Sequence, residues 1–287
     1  MKNLKYYLKK AYKEKFAIGQ FNFSDFSQVR GIVAAATALR APIILGTSEG
    51  ESRFVGLQEA VAMRDALRAK TGLPIFLNLD HGKSLEYLKE AMLAGYDMVH
   101  FDGSKLPLEE NIKISKEVKN FAKWHGVIVE GEVGKIGTDA SRVYTEKFEI
   151  KEEDLTKTQD AQNYLRKTGV DLLAVSVGTF HGMDATGISP KLRLDRLEEI
   201  FTKTKKPLVL HGGSGTPEED IRKSIDMGIT KININTETRL AFAGALRKTL
   251  ENNKDEIVPY KFLTEAIEAV LQVTEKNIKL FGSENKA

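Results

Sequence analysis

Three of the five histidines in this 287-residue chain close an apolar run and are followed at once by glycine. They lie in Leu79-Asp80-His81-Gly82, Thr179-Phe180-His181-Gly182 and Leu210-His211-Gly212-Gly213. If the three runs are parallel strands of one barrel, their imidazoles reach a common rim, where a divalent metal ion needs them. Three neutral imidazoles leave coordination positions open, which suits a catalytic rather than a structural site. The chain has no cysteine, so a metal must rest on histidine and carboxylate, and nothing points to a disulfide framework. His100, inside an apolar run, and His125, after Trp124 at a helix end, read as hydrogen-bonded structural residues.

The glycines suggest a second function. In His211-Gly212-Gly213-Ser214-Gly215 they let the backbone approach an anion, with amides and the Ser214 hydroxyl as donors near a helix start. Asn233-Ile234-Asn235-Thr236 adds amide and hydroxyl donors one strand later. An ordinary turn between strand and helix would also use such glycines. The second donor group beside them favours a phosphate site, which this architecture usually builds from the loops after strands seven and eight.

The elements that would position these residues are short β-branched runs with amphipathic helices between them, the pattern of repeated βα units. The runs are Ala17–Phe21, Pro42–Thr47, Pro74–Leu79, Met98–Phe101, Gly126–Glu130, Leu172–Val177, Pro207–Leu210 and Ile229–Ile234. Eight units predict a single (β/α)₈ TIM barrel domain over residues 1–287, and several runs are continuous enough to be covered on both faces. Thr216-Pro217-Glu218-Glu219 has the form of a capping box. After Ser84, the residues Leu85, Leu88 and Met92 form one apolar face before Gly95. Val133 to Thr158 is a long polar connection of the kind that serves as a lid or binding loop, and Pro259 to Phe281 predicts a C-terminal covering helix.

On this frame the polar residues fall at the carboxyl ends of strands, where a barrel places its active site. Asn22 ends the first, Ser48 the second, Asp80 and His81 the third, Asp102 the fourth, and Glu130 and Glu132 the fifth. His181 and His211 follow the sixth and seventh, and Asn233 lies in the eighth. Forty-three basic against forty acidic residues give a net charge of +3, too balanced for a nucleic-acid or membrane partner. The N-terminus shows no signal peptide and no membrane span is legible, so a reducing, cytoplasmic setting is expected.

The chain resembles the class II, metal-dependent fructose-bisphosphate and tagatose-bisphosphate aldolases over nearly its whole length. The resemblance rests on Gln20-Phe21-Asn22, Asn78-Leu79-Asp80-His81-Gly82, Phe101-Asp102-Gly103-Ser104 and Val129-Glu130-Gly131-Glu132-Val133-Gly134. It continues in Ser176-Val177-Gly178-Thr179-Phe180-His181-Gly182, His211-Gly212-Gly213-Ser214-Gly215 and Lys231-Ile232-Asn233-Ile234-Asn235-Thr236-Glu237. It implies reversible cleavage of a ketose 1,6-bisphosphate to dihydroxyacetone phosphate and glyceraldehyde 3-phosphate, with Zn²⁺ on His81, His181 and His211. Cobalt or iron could occupy the same histidines. By the same resemblance Asp80 exchanges the C4-hydroxyl proton, although it could instead orient a metal ligand. Asp102 and Glu132 lie near the metal as ligands of a second cation or as orienting groups. Gly182, Gly212, Gly213, Ser214, Asn233, Ile234, Asn235 and Thr236 receive the dihydroxyacetone-phosphate half, with Asn22 and Ser48 close by. The resemblance further suggests a homodimer or homotetramer.

One segment departs from the family pattern. Where relatives carry a Gly-Gly pair and then acidic residues, this chain has Gly137-Thr138-Asp139-Ala140-Ser141-Arg142. Asp139, with Glu146 behind it, is the candidate for the base on the dihydroxyacetone-phosphate carbon; both could equally be solvated loop charges. The tagatose bisphosphate, which differs from fructose bisphosphate only at C4, is an alternative substrate. A metal-assisted hydrolase lacks its usual His-x-His pair here, and a non-catalytic sugar-phosphate sensor is a further alternative, since fold does not fix function.

Overall fold

Eight parallel strands hydrogen-bond into one closed ring in the computed structural model, which describes residues 2–136, 143–144, 150–184 and 191–287. They are β1 (Ile18–Asn22), β2 (Ile43–Ser48), β3 (Ile75–Gly82), β4 (Met98–Phe101), β5 (Ile128–Val133), β6 (Leu172–Val175), β7 (Leu208–Leu210) and β8 (Ile229–Ile234). Each pairs with its neighbours in chain order, and β8 returns to β1. The TIM barrel expected from the eight apolar runs is therefore present. Asp139 and Glu146 lie outside the described residues.

Alternation along the strands divides the barrel interior into two halves. Ile18, Ile44, Phe76, Met98, Ile128, Leu172 and Val209 fill the amino-terminal half as one apolar cluster. Two residues further along four of these strands the inward positions turn polar, at Gln20, Asn78, His100 and Glu130, and Lys231 of β8 joins them; all five are fully buried. The intervening residues, among them Leu45, Leu77, Val99, Val129 and Ile232, face the helices in a second, larger cluster. Apolar packing thus closes one end of the barrel and leaves polar chemistry to the other.

The helices are α1 (Leu4–Glu14), α2 (Phe26–Ala38), α3 (Glu49–Val55), α4 (Leu57–Thr71), α5 (Leu85–Ala94), α6 (Leu108–His125), α7 (Thr158–Thr168), α8 (Leu194–Thr204), α9 (Glu218–Asp226), α10 (Thr236–Asn252), α11 (Pro259–Phe262) and α12 (Thr264–Leu280). α1, which the sequence reading did not anticipate, buries Leu4, Tyr7, Leu8 and Ala11 against the apolar end of the barrel. α5 starts at Ser84, whose side chain accepts from the Tyr87 amide, and stops at Gly95, as expected. The predicted tail is α11 followed by α12, the latter packing on α2 and α10.

The capping box expected at Thr216 does not form. Thr216 donates its hydroxyl to the Gly212 carbonyl instead, and the cap of α9 carries no side-chain hydrogen bond. A capping box is found at Ser48: its hydroxyl accepts from the Glu51 amide while the Glu51 carboxylate accepts from the Ser48 amide. Beyond the barrel, Val143–Tyr144 and Met183–Asp184 pair as a short parallel ladder between the connections that follow β5 and β6. Among the described residues no helix is long and apolar enough to cross a membrane.

Candidate active site at the carboxyl rim

Consecutive residues of a regular strand point to opposite faces, so Asp80 and His81 can serve one site only if the strand is broken between them. The sequence reading expects the strand to have ended by Asp80. Instead β3 continues to Gly82 and bulges. Leu79 pairs with Val99 and Gly82 with Phe101, so Asp80 and His81 together face His100. His81 adopts φ +52°, a left-handed conformation rare for a residue with a side chain. Both side chains consequently turn into the barrel mouth.

Asp80 is held from two sides. The side-chain amides of Asn22 and Asn233 donate to its two oxygens, each at 3.0 Å. Burial disfavours its charge, but the His81, His100, His211 and Lys231 side chains outweigh burial and hold its carboxyl well below the ordinary range. Asp80 is therefore ionised and fixed in orientation. Asn22 also donates to Glu51, which is ion-paired with Arg239 at the start of α10.

The three glycine-flanked histidines converge. The ring centroids of His181 and His211 lie 4.6 and 4.7 Å from that of His81, and 5.9 Å from each other. His81 Nδ1 is 3.0 Å from Asp102 Oδ2, and His211 Nε2 is 2.6 Å from Glu130 Oε1. An ionised carboxylate can only accept, so each of these nitrogens carries the proton. The remaining nitrogens, His81 Nε2 and His211 Nδ1, then point lone pairs at each other across 3.0 Å. A proton or a metal cation between them relieves this opposition, the Asn233 amide nitrogen also lies 3.3 Å from His211 Nδ1, and adjacent nitrogens on a tetrahedral zinc ion stand roughly 3.3 Å apart. The donor set fits a divalent metal.

Protonation states agree with that fit. Burial lowers the pKa of His211 to about 4 despite Glu130, and burial together with the His81 ring pushes His181 well below the ordinary histidine value. For His81 burial acts in the same direction, but Asp80 and Asp102 outweigh it and raise its pKa. His81 is thus the ring at which a proton competes most strongly with a metal ion.

Three groups beneath the rim, Glu130, Lys231 and His100, were given no role at the site from the sequence, and His100 was read as structural. Glu130 bridges His211 to the fully buried Lys231, whose Nζ is 2.9 Å from Glu130 and 2.7 Å from the Asn233 side-chain oxygen. Burial would raise the Glu130 pKa, but Lys231 and His100 keep it below the carboxylate range. His100 accepts the His81 backbone amide on Nδ1 at 3.2 Å. Burial disfavours charge on its ring, yet Glu130, Asp80 and Glu132 draw its pKa up to about 10. A proton on Nδ1 would set N–H against N–H, so the observed contact belongs to the neutral ring, and any divalent cation nearby opposes the charged one. Glu132 itself is raised, first by burial and then by Asp102.

Among the described residues the tightest potential ligand clusters are Asp80, His81, His100 and His211, and His81, Asp102 and Glu132, each with ligand atoms within 4.8 Å of one another. His181 belongs to neither group by ligand-atom distance, although its ring centroid lies 4.6 Å from that of His81. Residues 2–286 match the family model described as fructose-bisphosphate aldolase class-II. This chain belongs to that family. It is 39% identical over 279 residues to a probable fructose-bisphosphate aldolase of Bacillus subtilis, covering 96% of this chain and 95% of the relative. It is equally 39% identical to a 6-phospho-5-dehydro-2-deoxy-D-gluconate aldolase of Shouchella clausii, over 96% of this chain and 93% of the relative. The crystal structure of the YdjI aldolase from Escherichia coli K12 superposes with a TM-score of 0.82 at 28% identity, covering 100% and 99% of the two chains.

A class II aldolase is metal-dependent, in keeping with the histidine and carboxylate cluster. In this aldolase the glycine-rich turn after β7 has a packing reason beside any ligand role. Gly212 has φ +63°, and a Cβ there would lie 2.4 Å from the Phe180 carbonyl oxygen. The Gly215 amide donates to Glu237 at 2.8 Å, and Ser214 accepts the Glu237 amide at 3.3 Å. Asn235 is the cap residue of α10, and its buried side-chain oxygen makes no hydrogen bond. Thr236 begins that helix and is buried, Ile234 closes β8, and Gly182 follows His181 with φ +117°. Ser48, expected near the substrate, is engaged in the cap of α3.

Proposed function

We propose that this class II aldolase reversibly cleaves fructose 1,6-bisphosphate to dihydroxyacetone phosphate and glyceraldehyde 3-phosphate, with Zn²⁺ held by His81, His181 and His211. The observation that carries the reading is the pair of imidazole nitrogens 3.0 Å apart, beside an aspartate clamped by two asparagines. When bound, the metal supplies Lewis acidity at the ketone and hydroxyl oxygens, where negative charge develops as the C3–C4 bond breaks.

The protein groups supply the rest. Asp80 takes the C4-hydroxyl proton in cleavage and returns it in addition, its oxygens aimed by Asn22 and Asn233. Asp102 and Glu130 fix which nitrogen of His81 and His211 is free to ligate. Asp102 and Glu132 form the place for a second cation. The amides and hydroxyls of Gly182, Gly212, Gly213, Ser214 and Asn233 to Thr236 receive the dihydroxyacetone-phosphate half, with Asn22 and Ser48 at its edge. A half-turn of the Asn235 amide would present two donors to an anion. Asp139 is assigned the proton of the dihydroxyacetone-phosphate carbon; Asp139→Ala should slow exchange of that proton far more than it weakens metal binding. The chain acts as a homodimer or homotetramer in the cytoplasm.

The test is a cleavage assay with fructose and tagatose bisphosphates, each with and without chelator. Cleavage of the fructose sugar that disappears on chelation and returns with Zn²⁺ is expected. Cleavage that persists after metal removal is verified by elemental analysis would overturn the mechanism. Faster cleavage of the tagatose sugar would move the assignment to that substrate.

A further inference from the structure

We infer that His100 is a positioning residue: by accepting the His81 backbone amide on Nδ1 it holds the Asp80–His81 bulge in the form that turns both side chains into the site. The inference rests on the proposed roles of Asp80 and His81 and adds a residue to them.

The bulge places two residues of β3 opposite one of β4, and that one is His100. An inserted residue breaks the regular ladder, and a buried amide left without an acceptor is costly. His100 Nδ1 meets this need at 3.2 Å. Its ring is fully buried, held between the His81 and His211 rings at centroid distances of 4.6 and 4.7 Å. The other nitrogen, Nε2, lies 3.2 Å from Glu132 but makes no hydrogen bond. The hydrogen bond that His100 makes is therefore to the bulge.

The contact opposes a local tendency. His81 sits at φ +52°, where a side chain is disfavoured. Return to a regular pleat would relieve that strain, but would also turn either Asp80 or His81 away from the barrel mouth. With the amide bonded to His100, relaxation breaks a buried hydrogen bond. The sequence carries the same logic: His100 stands between Val99 and Phe101, which face the helices, so its ring must face inward.

Three substitutions separate this role from volume and from general polarity. His100→Asn can place its carbonyl oxygen near the position of Nδ1. His100→Gln reaches toward the Nε2 position, and His100→Leu keeps apolar volume without an acceptor. Co²⁺ affinity by chelator competition, the Co²⁺ absorption spectrum and the kcat and KM for fructose 1,6-bisphosphate are measured on the full chain. Leu and Gln should weaken Co²⁺ binding and lower kcat by about 10- to 100-fold with KM changed about threefold at most, whereas Asn stays within about fivefold of the parent.

Amide hydrogen exchange across Leu79–Gly82 is read in the chelated protein, where Leu and Gln should exchange about tenfold faster than the parent and Asn should not. Equal losses in Asn, Gln and Leu, or parental exchange in Leu and Gln, would overturn the inference. If His100→Leu does not fold, the comparison of Asn with Gln decides. If the parent binds no metal ion and cleaves no bisphosphate, the proposed function fails while exchange still decides the role of His100.

Discussion

Asp102 accepts a hydrogen bond from His81 Nδ1 at 3.0 Å, and its other oxygen is held by the Ser104 hydroxyl at 2.6 Å and the Ser104 amide at 3.2 Å. The carboxylate is thus fixed before it fixes the ring. Asp102→Ala should weaken metal binding by about 10- to 100-fold, with Km for the sugar less affected than kcat. Chelator competition measures the first and steady-state kinetics the second. Unchanged metal affinity would remove Asp102 from the orientation of His81.

Glu130 and Lys231 form an ion pair in which both side chains are shielded from water. Glu130→Gln leaves the ammonium without its counter-charge and should cost about 3–5 kcal/mol in urea unfolding. The double variant Glu130→Gln, Lys231→Met should cost less than the sum of the two single changes. Because the folded pKa of Glu130 lies below its ordinary 4.5, its stabilisation is present above that value and is lost as pH falls through the folded one. The Glu130→Gln penalty should therefore be constant from about pH 5 upward. Strict additivity of the two single variants would show that the pair is not coupled.

A proton bound by His81 excludes a metal ion from the same lone pair. Since Asp80 and Asp102 overcome burial and raise the His81 pKa above 6.5, metal affinity should begin to fall at a pH above 6.5 as the solution is acidified. Isothermal titration with Zn²⁺ in buffers of different ionisation enthalpy should show proton release that grows as pH drops. Affinity independent of pH through this range would contradict the shift. Asp102→Ala should move the midpoint to lower pH.

Gly212→Ala places a methyl 2.4 Å from the Phe180 carbonyl at φ +63°. The backbone strain alone should destabilise the fold by about 1–3 kcal/mol. As Phe180 precedes His181, the displacement should also reduce metal content, read by elemental analysis after dialysis. A variant with parental Tm and metal content would mean that the turn yields without cost.

The barrel was legible because its eight runs are short, apolar and evenly interrupted, and the rim residues were legible because polar groups end those runs. The layer beneath was equally encoded but was passed over. Gln20-x-Asn22, Asn78-x-Asp80, His100-x-Asp102, Glu130-x-Glu132 and Lys231-x-Asn233 all share one spacing, and two-residue spacing on a strand means one face. Read together, these pairs would have given Glu130 and Lys231 a role at the site and moved His100 there from its structural reading. α1 also carries its signal, with Leu4, Tyr7, Leu8 and Ala11 at helical spacing among lysines. The Glu51–Arg239 pair has no such signal, since its partners lie 188 residues apart. The capping motifs show a further limit: Thr216 and Ser48 both have a glutamate three residues on, and only the turn geometry decides which box closes.

Strict alternation allows a β-strand to aim one reacting group at a ligand for every two residues. The extra residue in β3 doubles that density at one point, delivering an aspartate and a histidine from adjacent positions where a regular strand could deliver only one of them. Barrel residues of the right kind, grafted onto a strand of the wrong length, would not reproduce this. Transplanting the site to another barrel therefore requires changing the residue count as well as the side chains.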